Sequence, residues 1–70
     1  MNLYHLKIID GISKGGFTTI VKAERIEVME KIFYGFIICE KSKTGRIPVD
    51  KIVAYYPINN TIVESIETIQ

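Results

Sequence analysis

"TTIVKAERIEVMEKIF", residues 18 to 33, decides the fold. Ala23, Glu24, Arg25, Met29, Glu30 and Lys31 are good helix formers, so propensity alone favours a helix. At about 100° per residue, however, Ile20, Val21, Ala23, Ile26, Val28, Met29, Ile32 and Phe33 scatter around the whole wheel. A helix here would have no apolar stripe to bury. Taken as strand, Phe17, Thr19, Val21 and Ala23 share one face, whereas Ile26 and Val28 fall on the opposite parity. The alternation slips near Glu24 and Arg25, which predicts a β-bulge or bend, with two separate strands meeting there as the alternative.

Working outward from this stretch, "MEK" at 29 to 31 turns the chain into Ile32 to Glu40. One face of that run carries Ile32, Tyr34, Phe36 and Ile38, the other Phe33, Gly35, Ile37 and Cys39. Both faces are apolar, and Gly35 marks a bend or the close approach of another element. The polar loop "EKSKTGR" leads to "IPVDKIVAYYPI", residues 47 to 58, where Pro48 fits a strand start or an edge. Ile52, Ala54, Tyr56 and Ile58 alternate there with Val53, Tyr55 and Pro57. The tail, "NNTIVESIETIQ", carries two signals. Ile62, Val63, Ile66 and Ile69 gather on one arc of a helical wheel, and Thr61 with Glu64 matches a capping box. Its β-branched residues, and an Asn59-Asn60 hairpin turn, favour strand for the first half.

In the other direction lies "DGISKGGFTT", residues 10 to 19. A phosphate-binding loop needs Gly-x-x-x-x-Gly-Lys-Ser/Thr running into a helix. Here Lys14 precedes Gly15 and Gly16, and strand formers follow. The stretch is therefore expected to be a hairpin loop, with Gly11, Gly15 and Gly16 in conformations closed to other residues and Ser13 and Lys14 at a solvated tip.

Seventy residues make one domain near the lower limit for a single apolar core, with a stability of roughly 4 to 10 kcal/mol. An apolar fraction of 47%, a charged fraction of 24% and a formal charge of +1 argue against disorder and against a strongly basic nucleic-acid domain. The lone Cys39 cannot form an internal disulfide, and a single His5 leaves no pair of soft ligands at zinc spacing. No cofactor or metal is expected. The N-terminus lacks a signal-peptide pattern, and no apolar run approaches the roughly 20 residues that span a bilayer. The expectation is a cytoplasmic protein with no membrane partner.

His5 sits on the more polar face of the first strand, and Cys39, ending the most apolar run, is expected to be buried and inert. The serines and aspartates carry no nucleophile motif, so no catalytic residue is assigned and the chain is expected not to be an enzyme. Lys41, Lys43, Arg46 and Lys51 form the most basic segment. With the nearby tyrosines they offer a place for nucleic acid, nucleotide or another phosphorylated ligand.

These readings converge on a mainly β domain, residues 1–70: a small, strongly bent antiparallel sheet or partly closed barrel of four to six strands, with a short C-terminal helix as a variant. The outline, with short strands, one long bent strand and a late "IPVDKIV" segment suited to closing, is similar to SH3-like and Sm-like barrels. That resemblance is one of fold and brings no site residues with it. Apolar side chains on both faces of the middle strands exceed what so short a chain can cover, which points to a homo-oligomer. The expected function is a non-enzymatic interaction module of inhibitor or adaptor type, with Tyr34, Tyr55 and Tyr56 as anchors for a protein partner and Lys41, Lys43 and Arg46 steering acidic groups. The alternative is ligand binding through the basic loop at 41–51.

Overall fold

The computed structural model describes residues 1–9, 15–41 and 48–69. Among the described residues six strands follow one another: β1 (Asn2–Ile8), β2 (Phe17–Ala23), β3 (Arg25–Met29), β4 (Phe33–Lys41), β5 (Pro48–Pro57) and β6 (Thr61–Thr68). They form two three-stranded antiparallel sheets, ordered β2-β1-β6 and β3-β4-β5, which do not close on each other. The chain is mainly β as expected. Among the described residues, no helix is long and apolar enough to cross a membrane.

The parity slip at Glu24 has a simple cause. Residue 24 is a bend at which the chain leaves one sheet and enters the other, and its N–H donates to the Ile37 carbonyl at 2.8 Å. Val21 and Ala23 are buried before it, and Ile26 packs against the same core after it. The side chains stay inward because the parity changes.

That core is Tyr4, Leu6, Ile8, Val21, Ala23 and Phe36, with Ile26, Tyr34, Ile38, Ala54, Tyr56 and Val63 packed around it. Period-2 alternation places Tyr4, Leu6 and Ile8 on the inner face of the central strand of their sheet, as the opening sequence implies. Phe36 is fully buried and joins the layers, meeting Tyr4 edge-on at 5.3 Å and Tyr56 at 6.1 Å between ring centres.

The tail is not a helix. All of Thr61–Thr68 is strand, paired to β1 with a register shift between His5 and Leu6. Val63 lies opposite Leu6 and Ile66 opposite Tyr4, so the extra residue, Glu64, puts side chains three apart on one face. This bulge mimics helical spacing. Nor do Asn59 and Asn60 make a hairpin. Ile58–Asn60 is a single 3-10 turn carrying the chain from β5 across to β6, latched by Ile9 N–H donating to the Asn60 carbonyl and Asn60 Nδ2 donating to the Ile9 carbonyl, at 2.7 and 2.9 Å.

The β3–β4 turn falls where "MEK" predicts, with Ile32 N–H donating to the Met29 carbonyl at 3.1 Å. Both residues inside it, Glu30 (φ 52°) and Lys31 (φ 63°), take the left-handed conformation without being glycine or asparagine. Such residues are strained, and Asn-Gly is the pair this geometry favours. The double substitution Glu30→Asn, Lys31→Gly is therefore expected to stabilise the fold by about 1 kcal/mol, raising Tm by roughly 4 to 8 °C. A thermal melt at fixed protein concentration checks this, and an unchanged Tm would contradict it.

Candidate docking face

The β3-β4-β5 sheet presents one face to the core and one away from it. In antiparallel pairing, residues directly opposite share a face. Phe36 lies opposite Ile26 and Ala54, and Tyr34 opposite Val28 and Tyr56, on the inner side. Arg25, Ile37 and Ile52 form one row of the outer side, and Glu27, Gly35 and Tyr55 the next. Met29, opposite Phe33, extends it. A register shift between Phe36 and Ile37 makes Val53 the extra residue, so Ile52 and Tyr55 share a face although three apart. The uninterrupted alternation read from the sequence would have set Ile52 beside Ala54 and Tyr56.

The outer face has an apolar end. Met29, Glu30, Phe33, Ile52 and Tyr55 line an open groove of about 340 Å³, in which the Phe33 and Tyr55 rings meet edge-to-face at 5.6 Å. Tyr55 is 65% exposed and Ile52 45%. Gly35 shapes the floor, because a Cβ there would run into the Met29 sulfur. Its lack of a side chain lets Met29 lie across β4.

The other end is polar and internally neutralised. Arg25 donates from Nε to Glu27 Oε1 at 3.0 Å, and from Nη1 and Nη2 to the two oxygens of Asp50 at 3.3 and 2.5 Å. Hydrogen bonds from Arg25, and then its charge, hold the Asp50 carboxyl below the ordinary carboxylate range, while Asp50 and Glu27 raise the guanidinium in turn. A carboxyl depressed by folding contributes stability above its unfolded pKa of about 3.9, and that contribution is lost as pH falls through the folded value. Because the pair is exposed, the contribution is small and screened by salt. An NMR titration is expected to place the Asp50 midpoint below the usual aspartate value and to move it upward in Arg25→Gln. Identical midpoints in the two proteins would remove the pair from consideration.

The β2-β1-β6 sheet turns a more polar face outward. His5 Nε2 lies 3.5 Å from Glu67 Oε2, and His5, Thr18, Thr19, Ile20 and Glu64 are among the residues around an open depression of about 510 Å³. Among the described residues, no three His, Cys, Asp or Glu side chains gather as a ligand set.

The three tyrosines named as anchors do not form one surface. Tyr34 and Tyr56 face each other on the inner side and pack against the core, leaving Tyr55 alone on the outer face. Lys41 ends β4, whereas Lys43 and Arg46 lie outside the described residues, as do Gly11, Ser13 and Lys14 of the first loop. Lys51 Nζ is 3.8 Å from Glu40 Oε1. Cys39 is exposed rather than buried: it lies opposite Asp50 near the end of β4, past the core, and its N–H donates to the Glu24 carboxylate at 3.2 Å. Sequence reasoning did not single out Met29, Phe33 and Ile52 as surface partners of Tyr55, nor the Arg25–Glu27–Asp50 cluster. Pairing across three strands brings them together. Compared with protein families, with curated proteins and with solved structures, the chain matches none.

Proposed function

We propose that the chain is a non-enzymatic interaction module that assembles with copies of itself and offers a β-surface to a protein partner, in the manner of an inhibitor or adaptor. One observation carries the reading. Among the described residues, twelve large hydrophobic side chains are more than two-fifths exposed, against seven hydrophobic residues that are buried.

Phe17, Ile20, Val28, Ile32, Val49 and Tyr55 are each more than half exposed. Sedimentation velocity across micromolar to millimolar concentration is the test. The expected outcome is a species heavier than 8.0 kDa, destabilised more by Tyr55→Ala than by Lys43→Ala. A single 8.0 kDa species throughout the range would end the proposal.

A further inference from the structure

We infer that the outer face of β3-β4-β5 docks a basic segment of a protein partner. A large apolar side chain of that segment enters the groove of Met29, Phe33, Ile52 and Tyr55, and lysines or arginines beside it meet Glu27 and Glu30. The inference rests on the protein-partner half of the reading just proposed, not on self-assembly, and names that partner's chemistry.

Charge selects the occupant. The whole chain carries a formal +1, yet the described charged side chains of this face are Arg25 against Glu27, Asp50 and Glu30. Arg25 balances one carboxylate, and the face is left with an excess of two negative charges. Nucleic acid or an acidic protein meets like charge here, whereas a basic segment meets its opposite. Lys31, next in the turn after Glu30, does not line the groove. The outer face of the other sheet sets Lys7 and Lys22 against Glu64 and Glu67, so its charges cancel. Only one of the two outer faces therefore combines an apolar groove with a charge of one sign.

Geometry favours an extended segment. From Phe33 to Cys39, which lies opposite Asp50, the face runs six positions along β4, about 20 Å at 3.3 Å per residue. That is the length of six or seven extended residues. The groove, about 340 Å³, has space for a large aliphatic side chain against the Phe33 and Tyr55 rings. Glu30 lines the groove at the turn, and Glu27 lies in the next row, level with Gly35 and Tyr55. Alternate side chains of an extended chain share a face about 7 Å apart, so residues two positions either side of the apolar one reach these carboxylates. Arg25 engages Glu27 through Oε1, and the Glu27 side chain is 52% exposed, which leaves it accessible to a second cation.

The free edges of β2 and β3 also accept an extended chain, through backbone groups that pair whatever its charge. Dependence on the sign of the segment's charge separates the face from the edges.

The probe is a seven-residue peptide, acetylated and amidated, with leucine at its centre, lysine two residues to either side and serine elsewhere. Titrated at low salt into nitrogen-15-labelled protein, it is expected to bind with a Kd of about 1 mM or tighter and to shift the amides of Gly35, Ile52 and Tyr55 most. Exchanging its lysines for glutamates, or its leucine for serine, is expected to weaken binding at least about tenfold. The double substitution Glu27→Gln, Glu30→Gln should weaken the lysine peptide by about tenfold, and Glu64→Gln, Glu67→Gln on the other sheet by no more than about twofold. All four glutamates are exposed, so the fold tolerates these changes, and far-UV circular dichroism verifies it. Tyr55, through which self-assembly is tested, stays unchanged. Equal binding of the lysine and glutamate peptides, no shift at all, or shifts confined to Thr18, Ile20 and Lys22 of β2 or Ile26 and Val28 of β3 would overturn the inference. Groove amides that respond to protein concentration and not to peptide would assign the face to a second copy and overturn it as well. A single 8.0 kDa species that still binds the peptide would end self-assembly alone, and a heavier species that ignores the peptide would end this inference alone.

Discussion

Phe36→Ala is expected to cost about 5 kcal/mol, half or more of the fold's stability, and to move the urea midpoint to about half its wild-type value or lower. Phe36 is fully buried, and it belongs to the β3-β4-β5 sheet while its ring packs edge-on against Tyr4 of the other. Truncating a buried phenylalanine costs about 3 to 5 kcal/mol, the upper end applying where the cavity cannot collapse. The site is of that kind, because Tyr4 and Tyr56 hold the ring from two directions and each aromatic pair adds about 0.5 to 1.5 kcal/mol. A 70-residue domain has roughly 4 to 10 kcal/mol in all. The loss therefore removes half of the stability or more. Phe33→Ala, on the outer face and outside the core cluster, is the control and should keep a sigmoidal urea curve. Both curves must be taken at one protein concentration, since association stabilises the folded form. A Phe36→Ala midpoint near wild type would mean that the two sheets do not share this core.

What could be read from the sequence was whatever depends on neighbours along the chain. Alternation of Tyr4, Leu6 and Ile8, the turn at Glu30 and Lys31, and the change of parity at Glu24 are local, and each was visible in residue order. The two register shifts, which leave Glu64 and Val53 as extra residues, were not. A bulge is chosen by how a strand pairs with a neighbour many residues away and by the twist the sheet must follow. Each bulge moved side chains to a new face: at Glu64 it produced a false helical spacing, and at Val53 it sent Ile52 to join Tyr55.

The candidate site shows the same division. That Tyr55 and Tyr56 cannot share a face follows from adjacency alone. Which of them turns outward depends on Phe36, whose burial pulls Ala54 and Tyr56 inward beside it. The contacts of Arg25 with Asp50, 25 positions apart, had no local signature at all. Closure was likewise beyond reach, because two short sheets or a barrel can be built from the same six strands, and accumulated twist decides between them.

Gly16→Ala is expected to destabilise the fold by more than about 3 kcal/mol, a loss at the tail of what single substitutions do. Two independent costs combine. Gly16 has φ +75°, a left-handed conformation that penalises any L side chain by roughly 1 to 2 kcal/mol. A Cβ there would also lie 2.7 Å from the Ile8 carbonyl carbon and 2.9 Å from Ile9 Cα, and closer still to the Ile8 oxygen. These are backbone atoms, so no rotamer change relieves the clash. The chain must move instead, and the part that moves is the start of the β1–β2 ladder, where Ile8 faces Phe17. Because β1 is the central strand of its sheet and supplies three core residues, a displacement there is transmitted to β6 as well. Gly15 separates the two costs. It too is at positive φ, +127°, but a Cβ would have nothing within 4 Å, so Gly15→Ala carries the conformational penalty without the clash. Urea denaturation should rank the proteins wild type, Gly15→Ala, Gly16→Ala in falling midpoint, with amide exchange in β1 accelerated in the last. Equal midpoints for the two variants would show that the approach of Ile8 to Gly16 is not what fixes the hairpin.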